Sequence, residues 1–147
     1  MPSVSRHFSV RPSQAQVVDY LKDFAHTTEW DPGTQACTRT DSGPVAVGAT
    51  WHNVSRIFGI TAELTYTLKE LTESRLVFVG ENQSSISTDT IAVEAHGTGS
   101  TLTYRADLTM KGLAKLLNPL MKIVFEKLAS DTETQLTTVL NRLATAN

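Results

Sequence analysis

Four histidines, one cysteine and a few grouped carboxylates are the residues from which this chain could build metal or nucleophilic chemistry. Their spacing argues against both. His7, His26, His52 and His96 are scattered, with no H-E-x-x-H or C-x-x-C pattern, so they read as surface or turn residues and no metal site is expected. Cys37 stands in a candidate strand with no assigned histidine partner and reads as a structural thiol. No G-x-S-x-G elbow marks a nucleophilic serine. Gly97-Thr98-Gly99-Ser100 lacks the lysine of a phosphate-binding loop and joins two strands, so it reads as a hairpin turn. One segment is denser. His26-Thr27-Thr28-Glu29-Trp30-Asp31 groups a potential base, two carboxylates and a tryptophan, and His26 or Glu29 could serve as general acid or base on a carbonyl substrate. Ligand gating by this loop is a second reading. The structural reading has Trp30 plugging the core and Asp31 capping a turn.

Composition narrows the classes of partner. The 147 residues carry 13 Lys+Arg against 15 Asp+Glu, a formal net charge of −2. That balance lacks the basic stripe nucleic-acid binding demands, so no nucleic-acid partner is expected. Hydrophobic residues make up 40% and charged residues 19%, a globular mix at a length that suits one domain over 1–147. A single cysteine forbids an internal disulfide and requires no oxidising compartment. The start, Met1 to Val10, has no signal-peptide apolar run, and no stretch approaches the ~20 apolar residues of a membrane span. A cytoplasmic domain without cofactor or stable membrane insertion is the expectation.

The positioning elements follow from periodicity. Ser3–Val10 alternates around Val4, Phe8 and Val10 and predicts a first strand. Ser13 and Gln16 have capping-box spacing, opening a helix that carries Val17, Leu21 and Phe24 on one stripe. Asp23–Trp30 reads as irregular or one-turn helix, closed by the turn Asp31-Pro32-Gly33. Period two then predicts strands Thr34–Asp41, Gly48–Ile57, Ile60–Leu71, Arg75–Glu81, Ser85–Ala95 and Ser100–Met110, joined by short turns as an antiparallel meander. Leu113, Leu116 and Leu117 form a lead-in turn. Asn118-Pro119 has the N-cap and first-position order of a helix in which Leu120, Val124, Leu128, Leu136, Val139 and Leu143 recur. From Pro119 to Leu143 that helix would be about 37 Å long, enough to cross a sheet whose ten-residue strands span about 33 Å.

Alternation also assigns faces. Ile60, Ala62, Leu64, Tyr66 and Leu68 share the inward face of one strand. A two-residue turn at Phe58-Gly59 pairs Ile57 with Ile60 and brings Ala49, Trp51, Asn53 and Ser55 inward, with His52 and Arg56 outward. Leu76, Phe78 and Gly80 follow, as do Leu102, Tyr104, Ala106, Leu108 and Met110. Strand Ser85–Ala95 does not fix its own face; Asp89, Ile91 and Val93 are placed inward. The interior is thus apolar with polar insertions at Asn53, Ser55, Tyr66, Asp89 and Tyr104. Each needs a partner, because an unsatisfied buried polar group costs on the order of 1–3 kcal/mol. Either a solvated or ligand-filled cavity supplies those partners, or the side chains bond to one another.

This order of elements resembles the START-like or SRPBCC superfamily, the helix-grip fold, and within it the polyketide cyclase/dehydrase and lipid-transport branch of small bacterial proteins. The likeness rests on the capped helix 12–23, on Trp30-Asp31-Pro32-Gly33 and on Gly43-Pro44-Val45-Ala46-Val47-Gly48-Ala49-Thr50-Trp51. Leu64-Thr65-Tyr66-Thr67-Leu68-Lys69-Glu70 and Gly97-Thr98-Gly99-Ser100-Thr101-Leu102-Thr103-Tyr104 add to it. The resemblance implies an α+β fold: a seven-stranded curved antiparallel sheet wrapped around a long C-terminal helix, with two short helices after the first strand. It also implies a cavity between them for a hydrophobic small molecule, lipid- or polyketide-like. The segment from His26 to Asp31 would border its mouth. Trp30, Trp51, Asn53, Tyr66, Phe78, Asp89 and Tyr104 would line it, with Leu120, Val124 and Leu128 as its roof. A cyclase or dehydratase using Asn53, Tyr66, Tyr104 and Asp89 or His26 is the alternative, and a collapsed, purely structural interior is a third. Ile123 and Phe125 lie off the roof stripe and could pack against a second subunit of a homodimer.

Overall fold

The computed structural model describes residues 3–57 and 59–145. Strand β1 (Ser3–Val10) leads into helix α1 (Gln14–Leu21), a 3₁₀ turn (Phe24–His26) and the one-turn helix α2 (Thr27–Trp30). The strands β2 (Thr34–Arg39), β3 (Thr50–Ile57), β4 (Ile60–Leu71), β5 (Arg75–Glu81), β6 (Ser85–His96) and β7 (Gly99–Met110) follow. A 3₁₀ segment (Gly112–Leu117) and helix α3 (Asn118–Thr145) close the chain. All seven strands form one antiparallel sheet in the order β1-β7-β6-β5-β4-β3-β2, so every link is a neighbour connection except β1 to β7. This is the expected helix-grip architecture.

Local chemistry explains the boundaries. The Gln16 amide donates to Ser13 Oγ at 3.3 Å while the Ser13 amide donates to Gln16 Oε1 at 3.0 Å, so the capping box opens α1 as its spacing predicts. β4 and β5 run as expected, and Ile57 pairs with Ile60. Phe58, half of the turn between them, lies outside the described residues, as does the side chain of the expected cap Asn118. β2 stops at Arg39 rather than Asp41 and β3 starts at Thr50 rather than Gly48, because Gly48 (φ 100°) sits in a left-handed turn. Register shifts beside Thr34 on β2 and between Leu68 and Glu70 on β4 mark bulges, the device that bends a strand and curls a sheet.

The interior lies on the curled face. α3 packs chiefly along β1, where the Arg6 guanidinium reaches Glu126 Oε2 at 3.0 Å and Asn141 Oδ1 accepts the Arg11 amide at 2.8 Å. α3 therefore runs in the same direction as β1, its C-terminal half beside α1 and its first turns beyond the other end of the sheet. That overhang overturns two expectations. Leu120 is 56% exposed and Ile60 67% exposed, although each stands at the right phase of its inward stripe. Periodicity names a face; it does not guarantee that anything covers it.

Candidate functional site

The inward face divides along the strands. Toward α1 it is sealed: Leu68, Leu76, Phe78, Ile91, Val93 and Leu102 have no exposed surface. Phe24 fills the space above, its ring centroid 4.4 Å from Phe78 and 4.4 Å from Tyr66. Trp51 is sealed too, its indole N–H donating to Asp23 Oδ1 at 3.1 Å, the same oxygen that caps the 3₁₀ turn through the Ala25 amide. Trp51 and Phe78 thus back the site rather than front it.

Toward the β5–β6 turn the face changes character. Tyr66, Ser85, Ser87, Asp89, Tyr104 and Leu108 each keep between 7 and 9% of their surface exposed. Cross-strand pairing makes them neighbours: Asp89 opposes Phe78 and Ala106, and Ser87 opposes Gly80 and Leu108. The Tyr104 hydroxyl lies toward the Asp89 carboxyl, and the Tyr66 hydroxyl toward Ser87, close enough for Tyr104 to influence the ionisation of Asp89 and Ser87 that of Tyr66. Gly80 makes the placement of Tyr66 possible. A Cβ on Gly80 would fall 2.6 Å from the Tyr66 ring, so only glycine lets that phenol lie flat across β5.

A second polar chain enters from the β2 side. Ser55 Oγ donates to Asn53 Oδ1 at 2.7 Å, Asn53 Nδ2 donates to Thr34 Oγ1 at 3.3 Å, and Thr34 Oγ1 donates to Asp31 Oδ2 at 2.7 Å. The Gly33 amide supplies Asp31 Oδ1 at 3.2 Å. Asp31 caps its turn, as the structural reading expects, but it also puts a carboxyl at the rim of the interior. Burial raises its pKa against the pull of those hydrogen bonds. Burial and the nearby Asp31 push Asp89 up to about 8, so it is mostly a neutral acid at pH 7. Burial likewise holds Tyr66 and Tyr104 well above the ordinary phenol value, and raises the Cys37 thiol. Neither lysine nor arginine is buried among the described residues. The Trp30 indole N–H, also buried, has no hydrogen-bond partner; its ring meets Tyr104 edge-on at 6.1 Å and 79°.

The dense segment His26–Asp31 splits. His26 stacks on Tyr20 (4.2 Å, 5°) with Nδ1 at 2.7 Å from the Tyr20 carbonyl, and the Tyr20 hydroxyl donates to Glu29. Both candidate bases are thereby committed to a surface lock, while Trp30 and Asp31 turn inward. Sequence reasoning passed over Ser85 and Ser87, although period two carried back from Asp89 selects them. Among the described residues no three His, Cys, Asp or Glu side chains gather as a metal site would require.

Val124 and Leu128 line a crevice of about 200 Å³ between α3 and the Pro32-Gly33 turn, with Arg56, Lys127 and Asp131 at its edge. Leu120 lies outside it. A wider groove of about 600 Å³ crosses the outer sheet face between Arg75 and Arg105, on the opposite side of the strands that carry the polar row; both guanidiniums are already paired, with Glu70 and Asp107. The inward face is the better candidate because its polar groups are buried.

The family model described as polyketide cyclase / dehydrase and lipid transport matches residues 1–146. The chain belongs to that family. Its fold is similar to a START superfamily protein from Mycobacterium smegmatis (TM-score 0.80, 14% identity, 96% of this chain and 98% of that one). It is also similar to TTHA0849 from Thermus thermophilus (0.80, 13%, 99% of both). A third likeness is to the ZhuI aromatase/cyclase from Streptomyces sp. R1128 (0.74, 11%, 97% and 93%). No curated protein matches the sequence. At these identities the likenesses speak for the fold alone, and the chemistry of the inward face has to speak for any role. No helix among the described residues is long and apolar enough to cross a membrane.

Proposed function

We propose that this domain binds a hydrophobic small molecule, polyketide- or lipid-like, between the sheet and the first half of α3. The observation that carries the reading is the polar row Tyr66–Ser87–Asp89–Tyr104 on the inward face, slightly exposed where Leu68, Leu76, Phe78 and Ile91 are sealed. Asn53, Val124, Leu128 and the Trp30 indole edge complete the contact surface, and Trp51 and Phe78 support it from behind. The groups offered are mostly donors: two phenols, a neutral carboxylic acid and the unpartnered Trp30 N–H. With no buried lysine or arginine among the described residues to offset Asp31 and Asp89, the site favours an uncharged guest bearing carbonyl or hydroxyl oxygens over a fatty-acid anion. The 200 Å³ crevice against α3 is smaller than the ~300 Å³ at which small-molecule pockets begin and is not lined by the polar row, so admission requires α3 to move away from the sheet. The lone Cys37, with no second cysteine to pair with, fits a reducing, cytoplasmic compartment.

Native mass spectrometry and fluorescence titration against a sterol, a neutral aromatic polyketone and a fatty acid test this reading. Uptake of a neutral compound, weakened at least about tenfold in Tyr104→Phe or Asp89→Ala, is expected, since a lost buried hydrogen bond is worth roughly 1–2 kcal/mol. Failure of every neutral compound to bind would overturn it.

A second reading, a cyclase or dehydratase, is favoured by one observation. Asp89 titrates near 8 against the Tyr104 hydroxyl, which suits a general acid at neutral pH. In that case turnover falls as pH rises through about 8 and disappears in Asp89→Asn; turnover that survives the substitution would exclude it.

A further inference from the structure

Six large apolar side chains are exposed among the described residues, and five of them, Ile60, Leu113, Leu116, Leu120 and Ile123, collect at one end of the molecule. The sheet brings them together. β7 ends at Met110 opposite Ser85, Lys111 Nζ reaches Glu81 Oε2 at 2.6 Å and the Asn82 carbonyl at 2.9 Å, and Asn82 Nδ2 donates to the Glu63 carbonyl near the start of β4. Each is more than half exposed, so together they form an apolar rim beside the polar row, far beyond the scatter of single exposed leucines normal for a surface.

Charge decides what such a rim can meet. Residues 111–127 hold Lys111, Lys115, Lys122 and Lys127 against the single acid Glu126, a local +3 in a chain whose net charge is −2. The acids at this end have partners: Glu63 with His52, Glu81 with Lys111, Glu126 with Arg6 and Asp131 with Lys127. Exposed Lys115 and Lys122 have no acid partner among the described residues. A second copy docking face to face would bring these lysines against their own counterparts. Among the described residues the rim also lacks the exposed aromatic anchors that protein partners favour. Aliphatic tips interleaved with unpaired lysines on a short helical overhang are instead the chemistry of an anionic lipid surface.

We infer that the 3₁₀ segment Gly112–Leu117 and the first two turns of α3, with the β4 end at Ile60, dock this domain reversibly on an anionic bilayer. The leucines and Ile123 enter the headgroup boundary, and Lys115 and Lys122 meet the lipid phosphates. The inference is independent of whether the interior holds a guest.

Cosedimentation with vesicles of phosphatidylcholine, alone or mixed equally with phosphatidylglycerol, tests it. Binding at least roughly tenfold stronger to the mixed vesicles, falling as salt rises, is expected, because each lysine near such a surface contributes about 1 kcal/mol. Lys115→Glu with Lys122→Glu removes that preference. The exposed triple variant Leu113→Ser, Leu116→Ser and Ile123→Ser loses binding with an unchanged circular dichroism spectrum. Absent binding, or equal binding to both vesicle types, overturns the inference. So does a lipid-free dimer that the triple variant dissociates, which would assign the rim to a second copy.

Discussion

The two ends of this sheet use the same strands for opposite purposes. Near α1, side chains from β4, β5, β6 and β7 are completely buried and apolar, and Phe24 closes over them. Near the β5–β6 turn, the next residues along β6 and β7 are Ser87, Asp89, Leu108 and Met110, and α3 passes beyond them without sealing the face. Dry packing at one end supplies the stability that lets the other carry buried carboxyls and an unpartnered indole N–H. An acid held neutral by its surroundings stabilises nothing in itself, and the sealed end has to offset that cost.

The contrast is sharpest if it is broken at the sealed end. Phe78→Ala removes a ring enclosed by Phe24 and Trp51, and a loss of about 3–5 kcal/mol in urea denaturation is expected. Leu64→Ala, at the other end, stays near the low limit of about 2 kcal/mol for such truncations, because solvent reaches the space left. Equal losses at both positions would erase the distinction.

The next effect concerns pH. Asp89 has its pKa raised on folding, so the folded state holds its proton more tightly than the unfolded chain does. The associated stability is full below the unfolded value near 4 and is lost as pH rises to about 8. Wild-type protein therefore weakens between pH 5 and pH 9 by about 4 kcal/mol, and Asp89→Asn, which keeps an acceptor for Tyr104, flattens that decline. A decline unchanged in the variant would remove Asp89 from the account.

Gly80→Ala should cost about 1–3 kcal/mol, since the added methyl collides with the Tyr66 ring and Phe24 blocks its retreat. Ligand uptake should fall with it, measured by the same titrations. The smallest effect is at the sealed end's margin, where Ser13→Ala loses the α1 cap for about 1 kcal/mol and leaves ligand uptake unchanged.

How much of this was legible in the sequence follows the same division. Strand alternation and turn residues placed β4, β5 and the inward faces of β3 and β7, because period two is a local property and each strand is long enough to show it. Ile60 and Leu120 misled because coverage is a tertiary matter: the first stands at the uncovered tip of β4 and the second on the overhang of α3. His26 and Glu29 looked like candidate bases, and only the fold shows both closing on Tyr20, a partner several residues away that no motif marks. The alternation of Ser85–Ala95 did not fix a face for Asp89, and its inward position is settled by pairing with Phe78 and Ala106. Its company of Ser87 and the Tyr104 hydroxyl emerged from cross-strand register, which sequence supplies only once every turn length is known.

The central claim, that a guest enters between the polar row and α3, is tested most directly by backbone amide chemical shifts during titration with a neutral aromatic polyketone such as an anthraquinone. Shifts concentrated at Tyr66, Ser87, Asp89, Tyr104 and the first turns of α3 are the expected result. Shifts confined to the outer groove around Arg75 and Arg105, or none at saturating ligand, would contradict it.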